Sequence, residues 1–111
     1  ATLLPDGAPH SVPVWIDVEG RDKLVILTSP SSRKARNVER DPRVAISITD
    51  LDQPHASALI RGQVVEFIDG DRGWDIIDRI ARKYTGQPYP LRTDRIVLLI
   101  KPDHARAVIF G

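Results

Sequence analysis

The residue types best suited to bind an anion are concentrated between Ser31 and Arg43. This stretch holds five basic and two acidic residues, a net charge of +3 in a chain whose net charge is +1. Arg33 and Lys34 fall at the start of a predicted helix, where the helix dipole already favours carboxylates over cations. A bound phosphate would compensate for this, because free backbone N–H groups, serine hydroxyls and two cations together form an anion site. The alternative is a solvated basic helix face.

The elements that position this stretch follow from local signals. Lys23–Leu27 is an apolar run of strand length, rich in branched residues. Ser31 or Ser32 can cap the helix by accepting a hydrogen bond from a free N–H. The helix must end by Asp41, because the residue before a proline is pushed out of the α region. The predicted anion site therefore lies between a strand end and a helix start.

The order of motifs resembles the pyridoxamine 5'-phosphate oxidase-like superfamily of split β-barrel flavin and deazaflavin proteins. The resemblance is carried by three segments: ATLLPDGAPHSVPVW, LTSPSSRKARNVERDPRVAISI and ALIRGQVVEF. In that superfamily, a Ser-Arg-Lys segment after a central strand holds the cofactor phosphate. The resemblance implies a mainly β split barrel of six or seven mostly antiparallel strands with two short helices, assembled as a homodimer.

The resemblance also implies which residues bind the cofactor. We expect polar and cationic side chains of the helix to contact the phosphate and ribityl chain: Ser32, Arg33, Lys34 and Asn37. Donors to the ring or phosphate would come from the strand end, Thr28 and Ser29. The ring would be bordered by two residues of the preceding strand, Pro13 and Val14.

The choice of cofactor depends on two departures from the flavin enzymes of the superfamily. Those enzymes contact the flavin ring with an arginine and a glutamine, and the matching positions here are Val12 and Ser57. The whole pattern is more similar to the actinobacterial branch that uses the deazaflavin coenzyme F₄₂₀, a phosphodiester with an oligoglutamate tail. Three further cations of the basic stretch suit that tail by Coulomb attraction: Arg36, Arg40 and Arg43.

The sequence therefore predicts an F₄₂₀H₂-dependent oxidoreductase that transfers a hydride to or from a small organic substrate. An FMN protein of the same fold and a non-catalytic F₄₂₀ carrier are the alternatives. A nucleic-acid-binding barrel ranks last, because no aromatic residue lies in the basic stretch. No catalytic acid, base or nucleophile is identified, which suits a protein whose cofactor carries the reaction.

Composition limits the remaining possibilities. The chain has no cysteine, and His10, His55 and His104 lie far apart in sequence, so no metal site is expected. No apolar run approaches the roughly 20 residues that span a bilayer, and a cytoplasmic protein without membrane or nucleic-acid partners is expected. Residues 1–111 read as one domain. The chain contains no methionine, so we expect it to begin inside a longer reading frame, after the N-terminal helix usual in the superfamily.

The other strands are predicted from their periodicity. His10–Val18 alternates, with Val12 and Val18 on the apolar face and Pro13 marking an edge or bulge. Trp15, on the polar face, is expected at a subunit interface. His55–Ile68 reads as one long strand or two short ones with a bulge at Gly62. Two closing strands are predicted, Arg95–Lys101 and Ala105–Phe110.

A second helix is expected after Ile68, capped by Asp69 or Asp71. Its apolar stripe is Trp74, Ile77, Ala81 and Tyr84. Two i,i+4 ion pairs are predicted on its exposed side, Asp75 with Arg79 and Asp78 with Arg82.

Overall fold

The computed structural model describes residues 1–109, which form seven strands and two helices. In chain order these are β1 (Thr2–Leu3), β2 (Pro9–His10), β3 (Ile16–Glu19), β4 (Lys23–Thr28), α1 (Arg33–Arg40), β5 (Arg43–Thr49), β6 (Ala56–Ile68), α2 (Gly70–Thr85) and β7 (Ile96–Ile109). Five strands form one antiparallel sheet in the order β3-β4-β7-β6-β5, and β1 pairs with β2. The predicted mainly β fold, with seven antiparallel strands and two helices, is confirmed.

Strands β4 and β7, which are neighbours in the sheet, are buried on both faces. Val25 and Val97 are fully buried against α2, and the next residue along each strand, Ile26 or Leu98, packs into the core on the opposite face. Both strands consequently read as continuous apolar runs instead of alternating ones. Strand β4 ends at the buried residue Thr28, and the basic stretch follows it in the chain.

The β1–β2 hairpin joins the outer strand β5 and rests on α1. The N–H of Ala45 donates to the carbonyl of Ala1 at 3.0 Å, and the guanidinium of Arg40 donates to the carbonyl of Leu3. The hairpin therefore continues the sheet past β5 and anchors the carboxyl end of α1.

The predicted strand over His10–Val18 is wrong in its middle. Residues 11–15 lie outside any strand, and pairing resumes only at Ile16. Pro13 has no N–H to donate to a ladder, which explains the interruption. The predicted apolar face fails at Val12, which is 40% exposed, and at Val18, which is 61% exposed. It holds at Ile16, a further member of that face, which is 8% exposed.

The two predicted closing strands are one continuous strand, β7. A register shift next to Gly62 leaves this glycine opposite Pro102, and the extra residue of this bulge is Asp103 of β7, not a residue of β6, where the bulge was predicted. A Cβ on Gly62 would lie 2.3 Å from the carbonyl oxygen of Lys101, so only glycine fits there. The predicted end at Phe110 lies outside the described residues.

Helix α2 begins after Asp69, whose side chain makes no cap hydrogen bond, and ends at Gly86 in the left-handed conformation. Ile77 and Ala81 of the predicted stripe are buried, whereas Tyr84 is 44% exposed. Within residues 1–109, no helix is long and apolar enough to cross a bilayer.

Both predicted ion pairs within α2 are wrong. Arg79 pairs instead with Asp17 at 3.1 Å, and Asp78 pairs with Arg92 at 2.6 Å. Both charged residues of α2 pair with partners on other elements. These ion pairs connect α2 to β3 and to the loop that follows α2.

Candidate functional site

The first turn of α1 is capped by Ser32. Its Oγ accepts a hydrogen bond from the N–H of Ala35 at 3.2 Å, and its own carbonyl accepts from the N–H of Arg36 at 3.1 Å. Among the described hydrogen bonds, none engages the N–H groups of Arg33 and Lys34. Two backbone donors at the positive end of the helix dipole therefore remain for a ligand.

Thr28, Ser32 and Lys34 form a chain of hydrogen bonds across the turn. The ammonium of Lys34 donates to Oγ1 of Thr28 at 3.0 Å, and this hydroxyl donates to Oγ of Ser32 at 2.8 Å. Thr28 is buried, so its hydroxyl fixes the direction of the lysine side chain. An ammonium has three N–H donors, and the remaining two are free to bind an anion.

The charge of Lys34 is disfavoured by its surroundings. Partial burial lowers the pKa of this lysine below 10.5, and the nearby positive charge of Arg95 lowers it further. A bound anion would reverse both effects, because it would replace the lost hydration and offset the repulsion. The lysine is therefore suited to bind a negative ligand.

A cavity of about 330 Å³ opens beside this lysine. It is lined by Lys34 together with apolar and aromatic residues of the irregular segment 11–15, of β4 and of the loop after α2: Pro13, Val14, Trp15, Leu27 and Tyr89. The structure thus brings Pro13 and Val14, which were expected to border a cofactor ring, onto the same cavity as the expected phosphate ligand.

Trp15 packs within the chain. Its ring stacks on Tyr84 with centroids 5.2 Å apart and meets the edge of Tyr89 at 6.4 Å. Trp15 is still 38% exposed, so its predicted role at a subunit interface stays a prediction. Sequence reasoning did not connect Tyr89 and Leu27 with the cavity, because nothing in the spacing of the loop or strand marks them.

Ser29 lies on the other side of the turn. Its Oγ donates to the carboxylate of Asp94 at 2.8 Å and lies 3.0 Å from Oγ of Ser31. Asp94 comes from the loop that precedes β7, so this loop contacts the turn directly. Arg95, the next residue, donates to the hydroxyl of Tyr89 at 3.1 Å.

Asn37 lies away from these donors. Its side chain is fully buried, and Nδ2 donates to Oγ1 of Thr2 at 2.9 Å, while Oδ1 has no partner in the structure. This contact joins α1 to β1. The geometry gives Asn37 a packing role, and its predicted contact with the phosphate or ribityl chain stays a prediction.

Two of the three cations expected to attract an anionic tail are engaged on their own chain. Arg40 donates to the carbonyl of Leu3, and Arg43 pairs with Asp41 at 2.7 Å. The side-chain hydrogen bond from Arg43 lowers the pKa of Asp41 from 3.8 to about 2. Arg36 and Arg33 are exposed on α1 and are the cations best placed for such a tail.

A second, larger groove of about 1070 Å³ lies on the other side of Pro13 and Val14, which line both spaces. Its walls include apolar side chains of β5 and of the irregular segment, among them Val12, Ile46 and Ile48. Within residues 1–109, no cluster of three or more histidine or acidic side chains could hold a metal ion.

Three solved structures share this architecture. An F₄₂₀ reductase superposes with a TM-score of 0.81 at 26% sequence identity, over 95% of this chain and 84% of the other. The conserved hypothetical protein Rv2991 from Mycobacterium tuberculosis gives a TM-score of 0.80 at 25% identity, over 98% of this chain and 74% of the other. HupZ from Group A Streptococcus shares the fold at 15% identity, with a TM-score of 0.71 over 99% of this chain and 82% of the other.

No curated protein shows significant sequence similarity to the chain. The structural similarity confirms the predicted split β-barrel. Residues 1–109 match the family described as pyridoxamine 5'-phosphate oxidase, so the chain belongs to this family, whose members bind flavin-type cofactors.

Proposed function

We propose that the protein is an F₄₂₀H₂-dependent oxidoreductase that transfers a hydride between the deazaflavin cofactor and a small organic substrate. The observation that carries the proposal is the shared cavity beside α1. Lys34 lines this cavity together with Pro13 and Val14. A phosphate held at the mouth of α1 would therefore place the attached ring against the irregular segment.

The residues at the mouth of α1 fit a phosphodiester. Lys34 has unused N–H donors, and the N–H groups of Arg33 and Lys34 make no hydrogen bond within the described chain. Thr28 and Ser32 orient the lysine, and the exposed guanidinium of Arg33 adds a second positive charge. These charge-assisted contacts would hold the phosphate. Ser29 lies at the edge of the site, where its one hydroxyl proton is donated to Asp94.

The walls of the cavity would position the ring and exclude water. Pro13 and Val14 offer an apolar border, and the aromatic rings of Trp15 and Tyr89, which meet edge to face, line the same cavity. The cofactor supplies hydride chemistry when bound, so the protein contributes orientation and a dry surface. None of the residues lining the cavity is assigned a proton-transfer role.

Two observations favour F₄₂₀ over FMN. One of the similar structures is an F₄₂₀ reductase, at 26% identity over 95% of this chain. Val12 and Ser57 also stand where the FMN enzymes of the superfamily carry an arginine and a glutamine. FMN and a purely carrying role remain the alternatives, and a homodimer with the cofactor between subunits completes the proposal.

Substitution of Lys34 tests the proposal. Lys34→Ala removes a charge-assisted phosphate contact worth about 2–4 kcal/mol, so F₄₂₀ should bind about 30- to 1000-fold more weakly in a fluorescence titration. Lys101→Ala, which removes an exposed lysine of β7, is the matched control and should leave binding unchanged.

Three results would contradict the proposal in different ways. Absence of F₄₂₀ binding to the wild-type protein excludes it. A yellow protein with a flavin spectrum after purification supports the FMN alternative. Tight F₄₂₀ binding without oxidation of F₄₂₀H₂ by any acceptor in a broad screen supports a carrier.

A further inference from the structure

Asp94 places a negative charge at the edge of the proposed phosphate site. Its Oδ2 accepts a hydrogen bond from Ser29 at 2.8 Å, and Ser29 lies within 3.0 Å of Ser31 in the turn that opens α1. Arg33 and Lys34 follow this turn in α1, and the positive charge of Arg95 acts on Lys34. A carboxylate is unexpected among donors that would bind a phosphate.

The carboxylate is held there by the backbone. Asp94 has φ of 58°, and it is the only non-glycine residue with positive φ in the described part of the chain. Its neighbour Arg95 is fixed by a hydrogen bond to Tyr89, which lines the cavity. Asp94 is exposed to solvent, but its side chain is tied to the turn by Ser29, and its neighbour Arg95 is tied to Tyr89.

The effect of this charge depends on the charge of the ligand. A phosphomonoester carries about −1.5 to −2 near neutral pH, since its second pKa is about 6. A phosphodiester has no second proton to lose and carries one negative charge. Because Coulomb repulsion scales with charge, Asp94 disfavours the monoester about twice as strongly in free energy as the diester.

We propose that Asp94 is a specificity-determining residue that makes the site select phosphodiester cofactors over phosphomonoester cofactors such as FMN. This inference rests on the proposed function and deepens it. The cations at the mouth of α1 supply affinity for any phosphate, and the carboxylate limits how much negative charge the site accepts.

The substitution Asp94→Asn removes the negative charge of this side chain and keeps its hydrogen-bond acceptor. The amide oxygen of asparagine can still accept from Ser29, and asparagine tolerates the left-handed conformation better than most residues. Alanine would strain the backbone at this φ and is a poorer variant. Asp103→Asn is the matched control, because Asp103 is exposed on β7, about 23 Å from the start of the strand at about 3.3 Å per residue.

The experiment measures dissociation constants of F₄₂₀ and FMN for wild type, Asp94→Asn and Asp103→Asn, by ligand fluorescence at neutral pH and physiological salt. Thermal denaturation first establishes that the variants are folded. We expect Asp94→Asn to strengthen F₄₂₀ binding about threefold and FMN binding about tenfold, so that the preference for F₄₂₀ falls about threefold. Asp103→Asn should change neither constant.

Each contrary result has a distinct meaning. A wild-type preference for F₄₂₀ that Asp94→Asn leaves unchanged overturns the role of Asp94 while the proposed function stands. An equal gain for both ligands, or the same gain with Asp103→Asn, also overturns it. A wild-type protein that binds FMN as tightly as F₄₂₀ also overturns the role of Asp94, and one that binds neither ligand overturns both proposals.

Discussion

Lys34 illustrates a conflict between binding and stability in a single side chain. Its ammonium is partly buried and lies near Arg95, so its charged form is disfavoured in the folded protein, and its pKa is lowered. Its single described hydrogen bond, to Thr28, does not restore the lost hydration. Sites built to bind a charged ligand often carry such a cost in the ligand-free state.

Replacement of Lys34 by methionine should therefore separate the two properties. At neutral pH, Lys34→Met should raise the free energy of unfolding of the ligand-free protein by less than about 1 kcal/mol, because solvent screens the charge of this partly exposed side chain, while F₄₂₀ binding is lost. The unfolded lysine holds its proton more strongly than the folded one, so wild-type stability should rise relative to the variant as pH approaches 10.5. Urea denaturation at neutral and alkaline pH measures the difference, with Lys101→Met as control.

A Lys34→Met protein that is less stable than wild type at neutral pH would contradict this interpretation. It would show that the hydrogen bond to Thr28 outweighs the cost of the buried charge.

At the scale of single elements, Ser32 contributes both to the stability of α1 and to the orientation of Lys34. The hydroxyl caps the helix through the N–H of Ala35, and it also accepts from Thr28, which orients Lys34. A cap contributes about 1 kcal/mol to stability. Aspartate caps a helix as well as serine but brings a negative charge to its mouth.

Two variants of Ser32 should consequently behave differently. Ser32→Ala should lower the free energy of unfolding by about 1 kcal/mol. Ser32→Asp should keep most of the stability and yet weaken F₄₂₀ binding by more than tenfold, because its carboxylate faces the phosphate. Denaturation and fluorescence titration of the same samples measure both effects. Equal loss of binding and stability in both variants would mean that Ser32 affects the ligand only through the fold.

The elements of the site were largely predictable because local signals specify them. The apolar run of β4, the serine cap and the Asp41-Pro42 stop determine where α1 begins and ends, and the structure has α1 at Arg33–Arg40. The alternation of apolar and polar residues wrongly predicted a strand between Ser11 and Trp15. Pro13 has no N–H for a strand ladder, so tertiary packing determines the course of the chain there.

Contacts between distant segments were not predictable in the same way. Tyr89, Asp94 and Arg95 reach the site from a loop whose sequence carries turn signals and no periodicity. Asn37 matched a family motif, yet its burial against Thr2 follows from the position of the β1–β2 hairpin. Such contacts depend on the three-dimensional arrangement, which one-dimensional patterns do not encode.

The close approach of Gly62 to the backbone of Lys101 gives a stability prediction for β6. A methyl group on this residue would meet the backbone of Lys101, 2.3 Å from its oxygen. Gly62→Ala should therefore destabilise the protein by about 1–3 kcal/mol, the usual cost of overpacking. Gln63→Ala, at the next position of the same strand, should cost less. If urea denaturation gives equal values, the strand shifts easily and the close approach is not a constraint.

At the scale of the whole molecule, Pro13 and Val14 separate the small cavity from the large groove. The groove is open and its walls are largely apolar, with Val12 40% exposed and Leu59 43% exposed. A second copy of the chain seated over this groove would bury these side chains and enclose the ring side of the proposed cofactor site. A homodimer of this kind would be linked to the proposed cofactor site through the same irregular segment.

A charged residue in the groove tests this link. Val12→Asp places a carboxylate on the wall of the groove, where a subunit interface would have to bury it, so sedimentation should shift from dimer to monomer. Val18→Asp is the control, because Val18 is 61% exposed on β3 and does not line the groove. F₄₂₀ binding should weaken only in the monomeric variant, since half of the enclosure is then lost. A monomeric wild type, or a Val12→Asp dimer that binds F₄₂₀ normally, would show that the groove is not the subunit interface.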